Sequence, residues 1–480
     1  MQQTKSGQWS HSRRTFIRNS AAISGGTILM PGYIRGMLHR PPSEQLNIAF
    51  IGCGGKGAVH VSALASQNIV AFCDVDAKRA ARSFEEHPTV PRFQDFRVML
   101  DKMHNEIDAV VISTPDHTHT VAALACMQLG KHVYVEKPLT HDIAEGRALL
   151  AASEKYGVVT QMGNQGASMD VNRTVTEWIR AGVIGDVHTV HVWTNRPVWP
   201  QGVPAPKETV PVPDTMQWDL WIGPAPYRPY HPAFAPFKWR GWWDYGTGAF
   251  GDMGCHLVDP AYRALKLTVP YAVEASATTV WVGDFVEANY TESCPPSSVV
   301  KMDFAAREGM PACVLWWYDG GIKPMRPAEL RPDEPFGSWD GGVLFEGTDG
   351  KMTCNIFGND PTLLPTERMR DFTPPEKTIP RVEGDHQSNW VRACKGEEEA
   401  SSPFSYAVPL TESLLIGNLA VRCYDYKTLQ EGKGPEDWAP YDYPGRTRLL
   451  WDAGNMRVTN FEQANAFVKR EYREGWSMGV

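Results

Sequence analysis

From residue 46 onward, apolar residues gather into short runs separated by turn residues. Leu46-Asn47-Ile48-Ala49-Phe50-Ile51 has the length of a buried strand and runs straight into Gly52-Cys53-Gly54-Gly55-Lys56-Gly57. Residues 58–66 read as a helix, and residues 69–73 as a second strand that ends at Asp74. Residues 108–113 predict a third strand, residues 120–129 a helix, and residues 131–135 a fourth strand that ends at Glu136-Lys137-Pro138. Strands and helices alternating at these lengths predict a parallel, doubly wound α/β sheet. From Gln161 the pattern changes. Residues 171–181 predict a helix and residues 187–193 a strand. Val300, Met302 and Phe304 alternate with Lys301 and Asp303, which predicts a strand with one buried face. Gly347-Thr348-Asp349-Gly350 predicts a hairpin turn, and residues 410–423 a helix.

A chain of 480 residues is too long for one compact core. The expected division is 1–40 as a leader and linker, 41–160 as the doubly wound domain, and 161–480 as a second domain. Net charge is −8, and six Lys and Arg with no Asp or Glu fall in the first forty residues, so the remainder is more acidic still. Such a body is a poor partner for nucleic acid or anionic lipid. None of the nine Cys falls in a CxxC pair, and no Cys/His spacing suits zinc, so no metal site is expected.

Ser12-Arg13-Arg14-Thr15-Phe16-Ile17-Arg18 resembles the twin-arginine export motif. The apolar run that follows, residues 21–30, is too short to span a membrane. The motif predicts that the twin-arginine machinery is a partner, that the destination is the periplasm or beyond, and that there is no stable membrane insertion. The plainer reading is a disordered basic tail.

The glycine loop has the form GxGxxG. Gly52 permits a tight turn, Gly54 lets backbone approach a pyrophosphate, and Gly57 lets the helix pack on the strand. With Gly55 and Lys56 they bring the N–H groups of a helix start to the phosphates. Asp74 lies twenty residues after Gly54, where a carboxylate accepts from a ribose 2′-hydroxyl and repels a 2′-phosphate. NAD is therefore expected, with NADP as the alternative because Lys78 and Arg79 are close in sequence. The loops 114–119 and 136–138 follow strands, so they lie on the nucleotide side of the sheet.

Four features together resemble the glucose–fructose oxidoreductase / inositol dehydrogenase / MocA (Gfo/Idh/MocA) family. They are the glycine loop, Pro115-Asp116-His117-Thr118-His119, Glu136-Lys137-Pro138, and Gly248 with Asp252 and His256. Trp317-Tyr318-Asp319-Gly320-Gly321 and His386-Gln387-Ser388-Asn389-Trp390 look like an exported branch of it. The resemblance implies a Rossmann domain followed by an α+β domain with an open, mainly antiparallel sheet, and a homo-oligomer formed through that sheet. It implies redox chemistry on a sugar, polyol or related hydroxyl. It also implies cofactor contacts from Thr114, Pro115, Glu136 and Lys137, with His119 and Asn164 as weaker candidates.

Oxidation of a secondary alcohol needs a base for the hydroxyl proton and a cation or donor for the oxygen. His256 is the candidate base, expected to titrate near working pH. Asp252, one helical turn earlier, is expected to orient His256 or to hold a substrate hydroxyl. Lys137, followed by Pro138, is the candidate donor to the reacting oxygen. Seven Trp lie between residues 193 and 243, either stacking on a sugar or packing an irregular loop. A glycosidase that uses NAD transiently and a non-catalytic sugar-binding relic remain as alternatives. The carboxyl-terminal tail, residues 439–480, yields no chemical reading.

Overall fold

The computed structural model describes residues 45–479, so the export motif and the leader boundary at residue 40 lie outside the described residues. Six parallel strands form the first sheet. They are β1 (Asn47–Ile51), β2 (Asn68–Cys73), β3 (Arg92–Phe93), β4 (Ala109–Ile112), β5 (His132–Val135) and β6 (Thr160–Met162), in the order β3-β2-β1-β4-β5-β6. Both faces are covered: Ile48 and Phe50 on one side of β1 are as buried as Ala49 and Ile51 on the other. The strand order reverses between β1 and β4, which opens a crevice at the carboxyl ends of these strands. Helices α1 (Lys56–Ala63), α2 (His119–Gln128) and α3 (Ile143–Tyr156) belong to this layer. The two-residue β3 is too short to leave a periodic signal.

The second sheet has nine strands: β7 (Val187–Thr194), β8 (Ala272–Ala277), β9 (Ser298–Phe304), β10 (Cys313–Tyr318), β11 (Gly341–Gly347), β12 (Gly350–Cys354), β13 (Thr362–Leu364), β14 (Leu449–Asp452) and β15 (Arg457–Val458). Their order is β13-β12-β11-β7-β10-β9-β8-β14-β15. Only β7 and β10 run parallel, and the remaining pairs are antiparallel. The predicted turn closes the β11–β12 hairpin, with Gly347 opposite Gly350. Val300, Met302 and Phe304 face inward as the alternation requires. Asp303 is also buried, held by Arg448 at 2.8 Å.

The two layers share one core, built around α4 (Gly248–Leu257) and the twenty-residue α6 (Phe404–Cys423). Arg147 on α3 binds Glu412 on α6 at 2.6 Å across this contact. The boundary expected at 160/161 cuts through β6. The first domain is also not one continuous segment, because α5 (His386–Cys394) returns to lay Trp390 and Val391 against Ile48, Phe50 and Tyr134. No local pattern announces a helix that packs on a strand more than three hundred residues earlier.

The irregular stretch after β7 holds itself together with a separate aromatic core. Trp218, Trp221, Trp239, Trp242, Phe234 and Tyr245 cluster there, and Trp218 stacks on Trp221 with ring centroids 4.6 Å apart. All nine cysteines are unpaired, and all but Cys394 are buried, where the thiol acts as a small apolar group. The tail crosses back to the first domain: the Val468 carbonyl accepts from Ala144 N–H at 3.2 Å. Arg470 then inserts between Asp142 and Glu145 of the first domain.

Candidate active site

The glycine loop is shaped by its own crowding. Gly52 has φ +82°, and a Cβ there would lie 2.7 Å from the Ser113 carbonyl oxygen. A Cβ on Gly57 would run into the Gly52 carbonyl, so only glycine lets α1 sit this close to β1. Asp74 stands at the end of β2. Its Oδ2 accepts from Cys53 N–H at 2.7 Å and Gly54 N–H at 3.2 Å, and its Oδ1 accepts from Asp76 N–H at 2.9 Å. Burial pushes its carboxyl above the usual range, against the pull of these three bonds. Part of its acceptor capacity thus braces the loop. Arg79 lies across the same loop, and a Cβ on Gly55 would meet its guanidinium at 2.5 Å.

A cavity of about 540 Å³ starts beside Asp74, Gln94 and Phe96, passes the glycine loop, and ends at Asp116, Lys137, Arg240 and His256. Trp221 and Trp239 line it too. Of the expected contacts, Gly52, Gly54, Gly55, Lys56, Asp74, Thr114, Pro115, Glu136, Lys137 and His256 line this space. Gly57 lies behind the loop, where it sets the packing of α1.

Lys137 Nζ donates to Asp252 Oδ1 at 2.9 Å and to the Asp252 carbonyl at 2.8 Å. Arg240 Nε donates to the same Oδ1 at 3.1 Å, its guanidinium 4.1 Å from the Trp239 ring. Burial opposes ionisation of Asp252, but Lys137 and Arg240 outweigh it and hold the carboxyl at about 2. Asp116 has the opposite fate. Burial and the neighbouring Asp252 push it up to about 8, although Arg240 and Lys137 pull it down. Its Oδ2 accepts from Thr247 at 3.0 Å, and its Oδ1 has no hydrogen-bond partner. At neutral pH this end therefore holds two cations, one carboxylate and one protonated acid.

Glu136 shows how the neighbouring loop is fixed. Its Oε1 accepts from His60 Nε2 at 2.7 Å, and His60 Nδ1 in turn accepts from Gln387 of α5 at 2.8 Å. Burial works against the Glu136 charge, but the His60 bond and the cations Lys56 and Lys137 outweigh it and hold it at about 2.

Several expectations change here. His256 was expected to titrate near neutral, but burial and the Lys137 charge lower it to about 3, so the imidazole is neutral. Asp252 does not orient His256, because its bonds go to Lys137 and Arg240, while His256 Nδ1 has no partner. Nor does Asp252 line the cavity; it stands behind the two cations and fixes them. His119 is a staple rather than a cofactor contact: one ring nitrogen faces the Pro138 carbonyl at 3.0 Å and the other the Thr114 carbonyl at 2.8 Å. Asn164 is buried away from the cavity, with neither amide atom hydrogen-bonded. The chain-long pattern missed Arg240, His60 and the role of Asp116. Asp116 lay inside a quoted motif, whereas His60 and Arg240 carry no local signal.

The site fits a dinucleotide: a glycine cradle that a Cβ would fill, a carboxylate at the ribose position, and unpartnered polar atoms of Asp116 and His256 at the far end. By fold and site, the protein is of the two-domain class built on an NAD(P)-binding Rossmann domain. Residues 46–164 match the Gfo/Idh/MocA oxidoreductase family in its NAD-binding Rossmann fold, and residues 177–287 match its C-terminal alpha/beta domain. The scyllo-inositol 2-dehydrogenase (NADP(+)) IolW of Bacillus subtilis is 27% identical over 188 residues, 38% of this chain and 42% of that protein. A glycosyl hydrolase family 109 protein of Saccharopolyspora erythraea is 33% identical over 171 residues, 30% of this chain and 37% of that one. The chain thus spans less than half the length of these curated relatives. The WlbA dehydrogenase of Bordetella pertussis, solved with NADH and UDP-GlcNAcA, shares the fold with a TM-score of 0.53 at 17% identity, over 79% of this chain and 97% of that one.

Proposed function

We propose that the protein is an NAD(P)-dependent oxidoreductase that acts on a secondary hydroxyl of a sugar or polyol and keeps its cofactor bound between turnovers. The observation that carries this reading is the position of Lys137 and His256 in the same cavity as the glycine loop and Asp74. When bound, the nicotinamide supplies the hydride acceptor. Lys137, held by Asp252, places an ammonium where charge develops on the substrate oxygen. His256 is neutral and lines the cavity, so its imidazole can accept the hydroxyl proton. A developing alkoxide beside it favours the charged imidazole and offsets the burial that disfavours it. Trp221 and Trp239 line the same cavity, Trp221 with one face stacked on Trp218 and Trp239 with the Arg240 guanidinium 4.1 Å from its ring. Asp74 supports NAD, while Arg79 beside the loop is the feature that would serve a 2′-phosphate.

The same residues would serve a glycosidase that oxidises, eliminates, adds water and reduces, and the similarity to a glycosyl hydrolase keeps this second reading in view. The test is incubation of the purified protein with NAD and a panel of sugars, polyols and glycosides. Net formation of NADH with a ketone product is expected. Glycoside cleavage without net NADH would favour the second reading, and neither product would defeat both.

Export rests on Ser12–Arg18 alone. Arg13→Lys with Arg14→Lys is expected to leave folded protein in the cytoplasm, and an unchanged periplasmic yield would overturn the export reading. Oligomerisation is proposed through the open face of the second sheet, where Trp316 and Tyr318 on β10 alternate with the buried Leu315 and Trp317.

A further inference from the structure

The carboxyl-terminal tail passes the cavity at Trp476 and continues to Gly479, whose carbonyl accepts from Gln128 at 3.0 Å. Its course is fixed at two anchors. Arg470 bonds Glu145 Oε1 through Nε at 3.0 Å and through Nη2 at 2.5 Å, and Nη2 also donates to the His117 carbonyl at 2.6 Å. Three residues on, Arg473 donates to Asp219 Oδ1 at 2.6 Å and to the Gly223 carbonyl at 3.1 Å. Both anchors are elements of the site. His117 belongs to the loop that carries Asp116, and Asp219 lies in the short helix Trp218–Ile222, which presents Leu220 and Trp221 to the cavity.

Beyond these anchors Trp476 lines the cavity itself. Its ring lies 4.4 Å from the Arg97 guanidinium, and its centroid is 6.3 Å from that of Phe96. Phe96 and Gln94 line the same end of the cavity, beyond Asp74. A Rossmann carboxylate at the end of β2 marks the adenosine ribose, so the base of a dinucleotide lies on the Phe96 side of it. Trp476 is therefore an aromatic face at the base end of the cavity, delivered by a segment that follows the last strand of the second sheet.

We propose that residues 468–479 form a cofactor-retaining strap, with Trp476 packing on the adenine of the bound dinucleotide. The inference rests on the dinucleotide reading of the cavity and adds to it which residue sets retention. Stacking of a nucleic-acid base on an aromatic side chain is strong enough that its removal changes affinity by about tenfold or more. The strap also accounts for the position of Arg473, whose bonds fix the chain just before the ring.

The test uses the full-length protein stripped of nucleotide, with ADP-ribose, NAD and nicotinamide mononucleotide as probes in calorimetric titrations. Trp476→Ala is expected to weaken ADP-ribose and NAD by about tenfold and to leave nicotinamide mononucleotide unchanged. Trp476→Phe is expected to recover most of the loss. Trp438→Ala, at an exposed ring that contacts Phe285 away from the cavity, serves as the control and is expected to change nothing. Wild-type affinity for ADP-ribose in Trp476→Ala would overturn the strap, as would equal weakening of all three probes, which would mark a general loss of structure. If the wild-type chain binds neither ADP-ribose nor NAD, the dinucleotide reading falls, and the strap with it.

Discussion

Lys137→Met is expected to slow single-turnover reduction of bound NAD by a hundredfold to a thousandfold, the scale of losing a preorganised charge at a developing oxyanion. Two cations and one ionised carboxylate meet at Asp252, and in the proposed reaction the excess positive charge would favour an alkoxide there. Without Lys137, Arg240 alone balances Asp252 and no net charge is left for the substrate oxygen. His256→Ala should produce a comparable fall, about a hundredfold, by removing the acceptor for the hydroxyl proton. The pH dependence separates the partners. Burial and Lys137 hold His256 near 3, so it contributes no inflection around neutrality. Asp116, raised to about 8 by burial and Asp252, is protonated below that pH and adds a second negative charge above it. Oxidation should therefore slow as pH rises through about 8, and Asp116→Asn should abolish that fall. A wild-type rate in Lys137→Met would remove the electrostatic argument. A surviving high-pH limb in Asp116→Asn would assign the titration to another group.

Arg470→Met is expected to destabilise the protein by about 3–5 kcal/mol, the range for leaving a buried charge without its partner. Asp142 and Glu145 are both buried, and Glu145 Oε1 also accepts from Tyr472 at 2.6 Å. The loss should depend on pH with a definite sign. Burial and the Glu145 charge raise Asp142 to about 7, despite Arg470. The folded form thus keeps a proton that the unfolded chain releases from about pH 4 upward, and stability falls as pH rises across that window. Removing the Arg470 charge should widen the window. Scanning calorimetry should find Arg470→Met closer to wild type at pH 5 than at pH 8. An equal loss at both pH values would show that packing, not charge, sets the cost.

The parts legible along the chain are those that local backbone and burial impose. A strand running into GxGxxG, then a helix, then a strand with a terminal acid needs only neighbouring residues to specify it, and β1, α1, β2 and Asp74 stand where the pattern placed them. The β11–β12 turn was legible for the same reason. Roles that depend on distant partners were not. Asp252 and His256 share a helix, which suggested that they pair, yet Asp252 is claimed by a lysine 115 residues earlier. His119 sits inside a motif rich in polar residues, and nothing near it in sequence reveals that the Thr114 and Pro138 carbonyls face its ring. Spacing alone could not show that burial would leave His256 neutral and Asp116 protonated.

The return of α5 and of residues 468–479 to the first domain has a consequence for the order in which the protein is made. A ribosome delivers β1 to β6 long before it delivers Trp390, Gln387 and Arg470. Until then the first sheet lacks the cover that Trp390 gives Phe50, His60 lacks its Gln387 partner, and Asp142 and Glu145 lack their cation. The nascent dinucleotide domain therefore cannot reach its final state as an independent unit. Assembly of the cavity is a late event, because its Trp476 wall is delivered more than three hundred residues after β6.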